Sequence, residues 1–181
     1  MSSLRLLNET TVGSSVSNVK ITDVFSADFD IYKITFNGTD TSSDTDIDLQ
    51  LVTAGGTTIR NSSDYKYGFV RNNSNSAMTQ VKSNGNSKFV DFMGKGGNDS
   101  GESCDVTTYI FNPFSSDSYT YCITQSANAI VAIFQAIKGS GVFEELVSIT
   151  GFQVNINSGT TTGGVIRTYG LRVDSQWVCN K

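Results

Sequence analysis

The sequence predicts an all-β protein, an antiparallel β-sandwich of jelly-roll type with about eight to ten strands. Apolar and polar residues alternate with a period of two in most segments, and turn-forming residues separate these segments at short intervals. No segment shows the longer period of an amphipathic helix. With 181 residues, 11 Phe and 7 Tyr, the chain has enough bulky side chains to build one core.

The first half of the chain contains the clearest alternation. In 30–36, 46–52 and 64–70 nearly every second residue is apolar, which is typical of half-buried strands in antiparallel sheets. A shorter strand-like segment, 4–7, precedes them.

The second half continues the same pattern with more aromatic residues. Residues 129–137 are apolar almost throughout, and we predict a strand there rather than a helix because β-branched and aromatic residues predominate. Residues 143–157 form either one long strand or two strands bent at Gly151. The other strands predicted in this half are 88–92, 106–111, 118–125 and 165–173.

Clusters of Gly, Asn, Asp and Ser between these segments predict turns, among them 94–101 and 139–141. The single proline, Pro113, lies between two predicted strands, where its missing N–H costs no ladder hydrogen bond. Neither a fixed repeat nor a linker interrupts the pattern. We therefore predict a single β-sandwich domain over residues 1–181, with a short C-terminal extension at 174–181.

Composition and charge exclude several classes of function. The net charge is −4 and no cluster of Lys and Arg exists, which argues against nucleic-acid binding. No apolar run has the length of a membrane span. The first residues do not resemble a signal peptide, so we expect a soluble protein made in a cytoplasm.

The residues that most often perform catalysis are missing or too few. The chain has no His, which excludes Ser-His-Asp and Cys-His catalysis and zinc sites with His ligands. Three Cys residues are one short of a four-thiolate zinc site. We predict a protein without a cofactor and without enzymatic activity. Cys104 and Cys122 are predicted to be reduced, with a bridge between neighbouring strands as the alternative.

The densest acidic run lies between residues 40 and 48. In a strand, Asp44, Asp46 and Asp48 share one face, where carboxylate oxygens can gather around Ca²⁺. The whole run, which begins at Asp40, does not match an EF-hand calcium loop, because it lacks that loop's central Gly and final Glu. We therefore expect a solvated strand face without a metal.

Aromatic side chains are the most informative candidates for contact with another molecule. Tyr rings on a sandwich surface stack on sugars or enter protein interfaces, because each ring has an apolar face and a polar end. The alternative is ordinary packing between neighbouring strands. The candidate interface or glycan-contact residues are Tyr65, Tyr67, Tyr109, Phe114, Tyr119 and Tyr121.

Parts of the chain resemble small β-rich structural proteins of tailed bacteriophages, marine ones in particular. The similar stretches are 30–34, 108–120, 151–154, 158–159 and 163–171. The resemblance implies a protein of the virion, assembled in the host cytoplasm, that binds other capsid or tail proteins and forms a homo-oligomer such as a trimer. Family members usually end near the Tyr-Gly-Leu segment, whereas this chain continues through Trp177, Val178 and Cys179.

The chain has no fibre-like repeat and no coiled-coil heptad, which favours a head decoration (cement) protein that binds the capsid. A tail-fibre or tail-tip protein that binds a host receptor is the first alternative. A carbohydrate-binding module that recognises a host-surface glycan is the second, and the Tyr residues suit it.

Overall fold

The computed structural model describes residues 2–56, 63–131 and 133–173, and these confirm the predicted all-β sandwich. No helix with the length and hydropathy needed to cross a membrane occurs in these ranges. The predicted extension at 174–181 lies outside the described residues. The strands are β1 (Ser2–Thr11), β2 (Asn18–Ile21), β3 (Ile31–Thr39), β4 (Thr45–Thr53), β5 (Tyr65–Asn73), β6 (Thr79–Ser83), β7 (Lys95–Gly96), β8 (Cys104–Phe111), β9 (Thr120–Ile130), β10 (Ile133–Phe143), β11 (Ile149–Ile156) and β12 (Val165–Val173).

The strands form two antiparallel sheets with jelly-roll connectivity. One sheet has the order β1-β12-β3-β8-β9-β10-β5-β6, and the other has the order β2-β11-β4-β7. Strands β1 to β4 alternate between the sheets and pair with β12, β11, β8 and β7 respectively, as a long hairpin does when it is wound into a jelly roll. Strands β9, β10, β5 and β6 then extend the larger sheet beyond β8.

Most predicted strands coincide with observed ones, and the short strands β2, β6 and β7 were not predicted. Residues 88–92 were predicted as a strand, but only one bridge forms there, between Phe89 and Leu49 of β4. Residues 143–157 are the end of β10, a loop and β11, whose register shifts between Ile149 and Gly151.

The prediction of a single strand at 129–137 is wrong, because the chain reverses inside that segment. Strand β9 ends at Ile130 and β10 begins at Ile133. Val131 between them has a φ of 50°, in the left-handed region that β-branched residues rarely adopt. The apolar sequence gave no sign of a turn because the usual Gly or Asn is missing.

The turn predicted at 139–141 is also wrong, since these residues continue β10. A Cβ atom on Gly139 would collide with Phe69, and one on Gly141 would lie 2.7 Å from the ring of Phe89. Glycine therefore marks close approach to neighbouring side chains here, which is one of its uses inside strands.

The core lies between the two sheets and is strongly aromatic. Tyr65 and Tyr67 were predicted as contact residues for another molecule, which is wrong, because their exposed fractions are only 0% and 9%. The Tyr65 ring lies 4.7 Å from the rings of both Phe89 and Phe143, and its hydroxyl accepts a hydrogen bond of 2.9 Å from the N–H of Leu51 in the opposite sheet. The alternation of the sequence predicted that Tyr65 and Tyr67 share one face of the strand. This face is buried because the second sheet packs against it.

The structure confirms that Cys104 and Cys122 are free thiols. Cys104 pairs with Asn128 of β9, six residues from Cys122, which is about 20 Å along the strand and too far for a disulfide. Burial raises the pKa of Cys104 to about 12 and raises the pKa of Cys122 as well.

Both buried thiols are expected to resist labelling in the native protein, because they are shielded and remain protonated at neutral pH. In a Cys179→Ser variant, Ellman's reagent should label neither thiol on the timescale on which it labels both in concentrated urea. Rapid labelling of two thiols without urea would contradict the burial of these residues.

Candidate functional site

The outer face of the eight-stranded sheet carries an unusual row of apolar side chains. Six neighbouring strands each contribute one residue, in register, so the row extends for about 24 Å across the sheet. The residues are Leu4, Leu171, Ile31, Phe111, Tyr121 and Val142. Because they point away from the core, the second sheet does not cover them.

A second row, two residues further along the strands, is mixed. Lys33 and Ser140 interrupt its apolar members, which are Leu6, Tyr169, Tyr109 and Ile123. Together with the first row, these four side chains form the surface that we call the apolar band. Four of its ten side chains are well exposed, namely Leu4 by 50%, Leu6 by 49%, Tyr121 by 51% and Ile123 by 46%. The other six, Phe111 among them, are half-buried.

A third row is entirely polar or charged. It consists of Glu9, Arg167, Thr35, Thr107, Gln125 and Lys138. Arg167 and Glu9 form an ion pair of 2.6 Å. The outer face of the large sheet is thus divided into an apolar half and a polar half.

The outer face of the four-stranded sheet is different, because its polar groups bind one another. The Asn155 amide donates to Gln50 at 2.9 Å, and Gln50 donates in turn to the carbonyl of Ser87 at 3.0 Å. Gln153 donates to Asn155. Among the residues that the structure describes, only the outer face of the large sheet combines several exposed apolar side chains in one band.

The acidic run predicted as a solvated strand face is partly buried and paired with lysines. Asp48 is fully buried, and its carboxylate lies 2.5 Å from Nζ of Lys88 and accepts a hydrogen bond of 2.7 Å from the N–H of Asp91. Asp46 pairs with Lys95. Across the part of the chain that the structure describes, no group of three or more His, Cys, Asp or Glu side chains is placed to hold a metal ion.

The stability of the protein is expected to depend on the ionisation of Asp48. Burial raises its pKa above the ordinary 3.8, although Lys88 acts in the opposite direction. The folded state therefore binds this proton more tightly than the unfolded chain, and this carboxyl favours folding as the pH falls through its folded pKa. Relative to Asp48→Asn, the parent should gain stability in urea unfolding between about pH 7 and about pH 4. A relative loss would mean that Lys88 dominates.

The remaining predicted aromatic residues lie on or beside the apolar band. Tyr109 and Tyr121 belong to it, and Tyr119, immediately before β9, is 39% exposed. Phe114 is 38% exposed in the loop after β8. For these four residues, contact with another molecule stays a prediction.

Aliphatic members of the band, such as Leu4 and Ile123, were not among the sequence candidates. Alternation alone assigns such residues to one face of a strand. Only the register of strands distant in sequence reveals that they lie side by side.

Comparison with protein-family models, with curated proteins and with solved structures finds no match for this chain.

Proposed function

We propose that this protein is a non-enzymatic structural component of a bacteriophage virion, a head decoration protein that docks on the capsid through the apolar band. The observation that carries the proposal is the band itself, a continuous row of apolar side chains on the outer face of a single sheet. Exposed contiguous apolar surfaces of this kind mark sites of protein–protein contact.

The composition of the band suits a permanent protein partner. It combines Phe111, Tyr121 and Ile123 on adjacent strands, and aromatic and large aliphatic side chains dominate the buried centres of protein interfaces. Lys66 and Glu144 form an ion pair of 2.5 Å beside it, which supplies the polar edge that such interfaces have.

The jelly-roll architecture supports a decoration role over a fibre role. Two packed sheets place the band on a rigid surface, and the described strands form neither a shaft nor a repeat. A sheet face held in place by a packed core is suited to lie on a capsid surface. The sequence resemblance to virion proteins of tailed phages points to the same class.

The proposal is tested by locating the chain in purified particles. Mass spectrometry should find it in particles at a fixed ratio to the major capsid protein, and gold-labelled antibody should mark heads. Label confined to tails would replace the decoration role by the receptor-binding alternative. Absence from the particles would overturn the virion role altogether.

Self-association through the same kind of surface would produce the homo-oligomer that the resemblance implies. Light scattering of the purified chain should then give a mass of at least twice the 19.5 kDa of one chain. A monomer at high concentration would leave the capsid as the partner of the band and would reject a stable homo-oligomer.

A further inference from the structure

The polar half of the large sheet's outer face contains an open groove that the proposed docking role does not use. The groove has a volume of about 590 Å³ and crosses strands β3, β8, β9 and β10. It shares only Tyr109 and Ile123 with the apolar band.

The shape of the groove follows from the sizes of neighbouring side chains. Thr107, Ala127 and Ala136 form a floor of short side chains on three adjacent strands. Tyr109 stands on one side of this floor, and Phe134, which is 55% exposed, lies near the opposite end. Two aromatic rings therefore border a strip in which the backbone of the sheet is closely approachable.

The polar groups of the groove are available to a ligand. Gln125 is exposed in its centre and offers both a donor and an acceptor. Lys33 lies on β3 and Lys138 on β10, so three strand spacings, or about 14 Å across the sheet, separate the two residues. Neither lysine forms an ion pair with any residue that the structure describes.

The one acidic side chain in the groove is already engaged. The Asp105 carboxylate accepts hydrogen bonds from the Asn37 amide at 3.2 Å and from the N–H of Gly38 at 2.9 Å. The groove thus presents two unpaired ammonium groups and one hydrogen-bonded carboxylate, a local excess of positive charge on a chain whose net charge is −4. Attraction of an anion is consequently local to the groove and not a property of the whole molecule.

We propose that this groove binds an acidic oligosaccharide. The apolar face of a sugar ring fits an exposed aromatic ring such as Phe134, and sugar hydroxyls fit the amide of Gln125. Carboxylate or sulfate groups along the sugar chain form charge-assisted hydrogen bonds with Lys33 and Lys138. The open ends of the groove suit a chain that runs across it.

An acidic peptide is the other ligand with the required charge, and the groove suits it less well. Its floor lacks the deep apolar pocket in which peptide side chains are anchored, and neither strand at its centre, β8 or β9, has a free edge for peptide pairing. The apolar band beside it has the composition of a protein interface, whereas the groove combines aromatic rings with hydroxyl, amide and ammonium groups.

The test is calorimetric titration of the full-length chain with four short probes of similar length. These are an oligomannuronate and a heparin tetrasaccharide as acidic sugars, mannotetraose as a neutral sugar, and tetraglutamate as an acidic peptide. At least one acidic sugar should bind, with an affinity that falls as salt is added, while mannotetraose and tetraglutamate bind at least tenfold more weakly.

Three variants assign the binding to the groove. The double change Lys33→Gln and Lys138→Gln, and separately Phe134→Ala, should each weaken binding of the acidic sugar at least tenfold. Lys82→Gln is the matched control, because Lys82 is an exposed lysine of the same sheet on strand β6, outside the groove. Circular dichroism should show that all variants are folded.

Three outcomes would overturn the proposal. Binding of none of the sugars would reject a glycan site, and equal binding of mannotetraose would reject the acidic class. Equal binding of tetraglutamate with no effect of Phe134→Ala would reassign the groove to acidic peptides. The outcome is independent of the virion role, because loss of sugar binding leaves the apolar band unaltered.

Discussion

Replacing Tyr65 by Ala is expected to lower the free energy of unfolding by about 4 kcal/mol, because a fully buried aromatic ring is removed from the centre of the core. The ring contacts Phe89 and Phe143, and its hydroxyl binds the N–H of Leu51 in strand β4. Tyr65 therefore links the two sheets through both apolar packing and a hydrogen bond. Urea unfolding followed by circular dichroism measures the loss.

Two further variants separate these contributions. Tyr65→Phe keeps the ring but leaves the N–H of Leu51 without this acceptor, so we expect a loss of about 1–3 kcal/mol. Tyr119→Ala is the matched control, since Tyr119 is 39% exposed, and its effect should stay within about 0.5 kcal/mol. Equal losses for Tyr65→Ala and Tyr119→Ala would contradict the assignment of Tyr65 to the core.

The fold class could be predicted because alternation is a local property of the sequence. The errors occurred where the same residue type serves two purposes. Gly139 and Gly141 were interpreted as turn residues, yet they lie within a strand. Glycine occurs there because Phe69 and Phe89 approach so closely that a larger residue would collide with them. At Val131 the opposite holds, since a β-branched residue occupies a turn.

The candidate surface could not be predicted, because it depends on pairing between distant segments. Leu4 pairs with Leu171, and Leu171 pairs with Ile31, so three parts of the chain that are far apart in sequence form one row. Alternation predicted correctly that Tyr65 and Tyr67 share a face, but only the packing of the second sheet shows that this face is buried. Likewise, nothing local to Asp48 indicates that Lys88 is its partner.

A lysine at position 123 of the apolar band is expected to weaken docking strongly without unfolding the protein. Ile123 is 46% exposed, and the next residue on the same face of β9 is Gln125, so Ile123→Lys should change the free energy of unfolding by no more than about 0.5 kcal/mol. In a complex, the same ammonium group would be buried among apolar side chains without a partner. We expect binding to fall roughly 100-fold, which corresponds to about 2.7 kcal/mol.

The measurement is co-sedimentation of the purified chain with particles from which the native copies have been removed. Asn18→Lys is the matched control: it makes the same change of charge at an exposed residue of β2, in the other sheet. This variant should bind as the parent does. Because both variants carry the same added charge, a loss confined to Ile123→Lys assigns docking to the apolar band, whereas a loss confined to Asn18→Lys transfers it to the four-stranded sheet. Undiminished binding of Ile123→Lys would separate the apolar band from capsid docking.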